Sequence, residues 1–513
     1  MKFKFTSLFF VLLSFVLILA GCTATTKSQT SSKDDKTLTI SLGPDLMTWD
    51  IHNHTTTSTE VVHANVFDYL LMRNQDGEIK PHLAKSWKKT NDTTYEFELE
   101  QGVKFHNGEE LTAEDVKFTF ERVAKDKSLR SHSDYSNIKE VKVLDDLKLQ
   151  IITSEPDPML LSRISRQASG ILPKDYIKEN GWDHFKKNPI GSGPLKFVEW
   201  KKDNRVVLEP YDEYFGKKVT DWGKVVFKAI PEDSTRVAEL LAGNVDIAAN
   251  IPPSDWDRIK DSKNSEVVNG PSNRTYLLFL RTQEGWPTAD LKVREAIDYA
   301  INDKALVENL LSGGGTPSLT RVNPGNLGAN EELYGKYNYD VEKAKKLLTE
   351  AGFKDGLSIQ LAGPSGRYLQ DRELLQLIAG MLEKVGIKTD MNILKWGPFV
   401  ELREQGKFKD GYLIALGASF FDAGQSLDYY SSERAKTING YSNKEIDRLL
   451  NKAATSTNEK ERIEMYTRVQ EIANKEKPIL PLFQLDQFYG LSENVKFQPR
   501  IDELIYVPDI EKK

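Results

Sequence analysis

Residues 340–394, DVEKAKKLLTEAGFKDGLSIQLAGPSGRYLQDRELLQLIAGMLEKVGIKTDMNIL, switch twice between the helical and the extended period. Asp340 stands as an N-cap before the apolar stripe Ala344, Leu347, Leu348 and Ala351, and Gly352 stops that helix. LSIQLAG at 357–363 is a strand, a Pro-Ser-Gly turn follows, and a second helix runs from about Asp371 through Leu374, Leu375, Ile378, Met381, Leu382 and Val385 to Gly386. IKTDMNIL at 387–394 supplies the next strand at once. Helix–strand–helix–strand with such short connections belongs to βαβ units, so the spacing predicts an α/β fold with a mainly parallel sheet. Ligands of open sheets sit beyond the carboxyl ends of strands, and Arg367 follows such an end.

A neighbouring strand, GYLIAL at 411–416, runs into GASFFDAGQSLDYY and delivers Asp422 among Phe420, Phe421, Tyr429 and Tyr430. Arginine grips a carboxylate bidentately and aspartate accepts from an ammonium, so Arg367 and Asp422 suit a zwitterionic, peptide-like guest. The competing expectation is that Arg367 pairs with Asp371 and that Asp422 is a solvated loop residue.

Earlier segments carry the same alternation. LTISLG at 38–43 places Leu38, Ile40 and Leu42 on one strand face, and TTYEFELEQGVKF places Tyr95, Phe97 and Leu99 on another. In LTAEDVKFTFERV, Thr112 and Asp115 form a capping pair ahead of Val116, Phe120 and Val123. YSNKEIDRLLNKAA repeats the device with Ser442 and Glu445 before Ile446, Leu449, Leu450 and Ala453.

The chain opens with Lys2 and Lys4 and an apolar run from Leu8 to Ala20, shorter than the ~20 residues a bilayer helix needs. It reads as a secretory signal over 1–21, and Leu19-Ala20-Gly21-Cys22 resembles a bacterial lipobox whose cysteine receives lipid. Residues 22–36 are polar and rich in Ser, Thr and Lys, a flexible tether. The expected location is the outer face of the cell membrane, held by lipid.

Cys22 is the only cysteine among 513 residues, which removes disulfides, cysteine-ligated zinc and thiol nucleophiles from the folded part. With 76 acidic against 70 basic residues there is no basic surplus for nucleic acid. A secreted hydrolase is the enzymatic alternative, yet HExxH, GxSxG and GxxxxGK[ST] are all missing, and SGGGTP at 312–317 reads as a helix stop and turn. No cofactor is expected. All seven histidines lie between 52 and 184, and His52 and His54, two apart in an extended stretch, are candidate metal ligands.

The segments 82–123 (HLAKSWKKTNDTTYEFELEQGVKFHNGEELTAEDVKFTFERV), 171–176 (ILPKDY), 188–200 (NPIGSGPLKFVEW), 293–317 (VREAIDYAINDKALVENLLSGGGTP), 337–353 (YNYDVEKAKKLLTEAGF) and 440–453 (GYSNKEIDRLLNKA) together resemble the family 5 extracellular solute-binding proteins, receptors of peptide and nickel ABC importers. The resemblance implies a two-lobed fold of the periplasmic-binding-protein kind (type II, cluster C) with an extra subdomain in the first lobe. It places the lobe I core at 37–60, 185–280 and 489–513, the extra subdomain at 61–184 and lobe II at 281–488, with hinges near 280 and 488. It implies capture of di- to oligopeptides by a monomer, delivery to a permease and its ATPase subunits, and a nickel or metallophore receptor as the alternative. Asp422 then takes the peptide amine and Arg367 the carboxylate, although Ser419 stands where the family often has an acid. Arg163 and Arg166, in LLSRISRQASGILP, lie where the subdomain of such receptors faces the cleft.

Overall fold

The computed structural model describes residues 36–75 and 77–513. Thr37–Leu42 pairs in parallel with Lys224–Ala229 on one side and with Ile247–Ala249 on the other. Being central, it is covered on both faces, so Thr39 and Ser41 are buried along with Leu38, Ile40 and Leu42. Further along the chain, Leu357–Ser365 pairs in parallel with both Ile387–Lys395 and Gly411–Gly417, as the βαβ reading requires.

These two groups of strands belong to one eleven-stranded sheet, joined through the long strands Ser265–Leu280 and Ile479–Ser492. Those two run antiparallel, and so do the pairings of 205–210 with its neighbours 195–201 and 224–229. The sheet is therefore mixed, where the sequence pattern alone predicts a mainly parallel one: local βαβ units say nothing about distant strands laid between them. Ser265–Pro271 faces Asp486–Ser492 and Thr275–Phe279 faces Ile479–Gln484, with a register shift between Pro271 and Thr275.

Three separate apolar cores are formed among the described residues. One surrounds Trp49, Phe67 and Phe227, a second surrounds Phe97, Phe105 and Phe120, and the largest surrounds Tyr276, Phe279, Leu375 and Phe483. The second belongs to a four-stranded antiparallel sheet, 84–91, 94–99, 148–153 and 138–145, backed by the helix Ala113–Lys125. That helix has the Thr112–Asp115 capping box, with Val116, Phe120 and Val123 inward. Asp340 caps Val341–Glu350, whereas Lys444–Thr455 is capped by Asn443 rather than Ser442. The Asn443 carboxamide oxygen accepts from the N–H groups of Glu445 and Ile446, and the Ser442 hydroxyl bonds Ser432 instead.

Candidate functional site

The carboxyl ends of Leu357–Ser365 and Gly411–Gly417 open onto the same edge of the sheet, because the two strands are parallel neighbours. Past that edge the three cores enclose a cleft of about 630 Å³. Residues 55–57, 130–134 and 159–167 form one wall, and 367–368, 396–404 and 415–434 form the other. Its size lies within the ~300–1,000 Å³ range of sites for small molecules.

Arg367 reaches this cleft as a cation with no carboxylate in ion-pair range among the described residues. Asp371 does not neutralise it: its carboxylate accepts the backbone N–H groups of Gly366, Arg367, Tyr368 and Arg372 at 2.9–3.0 Å, fixing the loop and leaving the guanidinium unspent. The guanidinium lies over the rings of Tyr368 and Trp396, 4.8 and 5.4 Å from their centres, and its Nε has no acceptor among the described residues. Burial pushes it below the usual arginine range. Phe420 and Tyr429 also line the cleft. Burial opposes ionisation of Tyr429, but Arg434, Arg403 and Arg321 outweigh it and draw the phenol down to about 8.

The family 5 description "Bacterial extracellular solute-binding proteins, family 5 Middle" matches residues 78–437. The chain belongs to this family of receptors. A dipeptide-binding protein of Escherichia coli (strain K12) is 28% identical over 452 residues, 82% of this chain and 83% of that one. The solved structure of a periplasmic binding protein, DppA from Helicobacter pylori in complex with the peptide STSA, superposes with a TM-score of 0.83 at 26% identity, covering 93% of this chain and 98% of that one. NikZ from Campylobacter jejuni in complex with Ni(L-His) gives 0.82 at 25% identity, over 94% and 100%.

Within this family 5 receptor several residues singled out by sequence are placed otherwise than expected. Asp422 does not face the cleft. It is buried, its carboxylate bound by Arg462 at 2.6 Å and by the Tyr466 hydroxyl at 3.1 Å, and it caps the short helix Ala423–Leu427 through the Gly424 N–H. Phe421, in a left-handed conformation (φ 55°), turns its ring under Arg73, 4.5 Å away, instead of into the cleft. Arg166 is held by both oxygens of Glu60 at 2.8 and 2.9 Å, with Asp502 at 3.5 Å. Burial works against its charge, but Glu60 and Asp502 more than restore it. Arg163 lines the cleft, yet Asp157 binds it at 2.6 Å.

His52 and His54 do not act as a pair. His52 Nδ1 lies 2.7 Å from Arg122 and His54 Nε2 lies 3.1 Å from His63 Nδ1; the three imidazoles are buried and none lines the cleft. Among the described residues no group of three or more His, Asp or Glu side chains is arranged to hold a metal ion. Cys22 and the signal and tether stretches lie outside the described residues, apart from Lys36. No described helix is long and apolar enough to cross a membrane.

Two residues went unremarked in the sequence. Asp134 lines the cleft with no hydrogen-bond partner for its carboxylate among the described residues; burial raises its pKa against the pull of Arg163 and Arg434. Arg403, on the helix Trp396–Glu404, lines the facing wall without an ion-pair partner among the described residues. Only the i, i+4, i+7, i+8 spacing of Trp396, Val400, Arg403 and Glu404 marks that helix face in the sequence.

Proposed function

We propose that this receptor captures short peptides in the cleft and delivers them to the permease and ATPase subunits of an ABC importer, held by lipid on Cys22 at the cell membrane, outside the cytoplasm. The observation that carries the reading is Arg367, a half-buried guanidinium that lines the cleft with no carboxylate to satisfy it among the described residues. A peptide C-terminus supplies the missing charge in bidentate form. Since Asp422 is committed to Arg462, the amine falls to Asp134, the carboxylate of the opposite wall. The dipeptide-binding relative and the peptide-bound neighbour support the same class of guest. Arg163, Phe420 and Tyr429 complete the walls, the two rings giving apolar surface to side chains.

Calorimetric titration with short free peptides tests the reading. A charge-assisted contact is worth ~1.5–3 kcal/mol and a buried charge left alone raises the loss to ~3–5 kcal/mol, so Arg367→Ala weakens binding roughly ten- to a thousandfold. C-terminal amidation costs the wild type the same and Arg367→Ala almost nothing; N-acetylation behaves likewise toward Asp134→Asn. Unchanged affinity in Arg367→Ala would remove the assignment. The nickel reading rests on the neighbour bound to Ni(L-His), a chelate that brings its own metal ligands and a carboxylate. Stoichiometric binding of nickel with free histidine, without peptide binding, would replace peptide by chelate. Labelling with a fatty-acid probe, lost in Cys22→Ala, tests the anchor.

A further inference from the structure

The cleft holds more positive charge at one end than a single peptide carboxylate uses. Arg367 is without an acceptor, and Arg403 stands on the same wall, also without one among the described residues. The acid next to Arg403 in the chain, Glu404, is taken by Arg130 of the opposite wall at 2.9 Å. Two other acids that line the cleft are also taken, Asp428 by Arg434 at 3.0 Å and Glu503 by Arg274 at 2.8 Å. Behind Tyr429, which lines the cleft, lies Arg321, buried, 4.4 Å from the ring centre, with Nε and Nη1 unpartnered among the described residues. Two arginines without protein carboxylates among the described residues thus line one wall, and a third lies behind it.

Arg367 and Arg403 line the same wall of the cleft. Trp396 links them: Arg367 lies over its ring, and its helix carries Arg403 two turns on. Charge of this density in a partly dry cleft is costly unless a ligand neutralises it, and planar guanidinium groups are matched best by carboxylates. A guest with one carboxylate for each arginine neutralises both.

We infer that the cleft selects peptides whose C-terminal residue is acidic, Arg367 taking the main-chain carboxylate and Arg403 the side-chain carboxylate. This rests on the peptide reading above and narrows it. Arg403 is a specificity-determining residue here, and Arg321 and Tyr429 set the field around it without touching the main chain of the guest.

The test is calorimetry with matched peptides, Ala-Ala-Glu against Ala-Ala-Gln and Ala-Glu against Ala-Gln, on the purified full-length protein and on Arg403→Gln. The side-chain carboxylate gains one charge-assisted contact, so the wild type binds the Glu peptides about tenfold or more tightly than the Gln peptides. In Arg403→Gln that ratio falls to about one. Circular dichroism melting verifies that the variant is folded; Arg403→Lys, which keeps the charge, retains part of the preference. Equal binding of Glu and Gln peptides by the wild type, or an unaltered ratio in Arg403→Gln, overturns the inference while leaving the peptide reading intact. Failure of all four peptides to bind the wild type overturns both.

Discussion

The two walls of the cleft present the same residue type in opposite states. On the wall formed by 55–57, 130–134 and 159–167, Arg163 and Arg166 are matched by Asp157 and by Glu60 with Asp502. On the facing wall, Arg367 and Arg403 have no protein partner among the described residues. A matched buried pair holds the wall together and offers a ligand nothing, since its charge is already used. An unmatched arginine does little for the fold and keeps its charge for a guest. Stability and binding are thereby assigned to different arginines of one cleft.

That contrast breaks most visibly at the matched pairs. Arg166→Ala leaves Glu60 buried without a counter-charge and is expected to cost ~3–5 kcal/mol in urea unfolding. Asp422→Ala strands Arg462 in the same way and is expected to lose a similar amount of stability; its peptide affinity, measured in the surviving folded fraction, stays at the wild-type level. A selective loss of affinity in Asp422→Ala at unchanged stability would return the amine to that residue.

The next effect in size is on acid stability. Burial, with Arg122 adding to it, lowers His52 to about 3, and burial lowers His63 to about 4. Both rings are neutral in the folded protein and take up protons below ~6.5 once unfolded. Their contribution is full above that pH and is lost as the pH falls from about 6.5 towards 4 and then 3. The unfolding midpoint therefore drops over this window, and His63→Gln flattens the drop.

Arg367→Met sharpens the comparison from the other side. It removes an uncompensated buried charge, so ligand-free stability is expected to rise by ~0.5–2 kcal/mol while binding is lost, the exchange of stability for function that such sites show. The smallest effect belongs to Arg130 and Glu404, which bridge the walls at 2.9 Å but are both exposed. Arg130→Ala is expected to change stability by ~0.2–1 kcal/mol, less at high salt.

Much of the architecture was legible locally. The helix and strand spacing of 340–394 foretold two parallel strands and a loop carrying Arg367, because the side-chain periods and caps are properties of neighbouring residues. The loop at 417–430 was legible as a strand end with aromatics, but its acid was not: Asp422 meets Arg462 across 40 positions, and no local pattern reports that. The Ser442 cap was missed for a smaller reason, since Asn443 offers an equally good acceptor one residue on. Asp134 and Arg403 carry no motif and became visible only when their neighbours were seen to be paired elsewhere.

By itself the sequence determined the α/β elements, their caps, the arginine on the loop after Leu357–Ser365 and, through six separated segments, the family. The tertiary structure alone decided which charges remain free. An ion pair is set by distance in space, and the carboxylates that claim Arg166, Arg274 and Arg462 come from residues 106, 229 and 40 positions away in the chain. Free charge, the property that lets this cleft bind, is what is left after all such distant pairings are made.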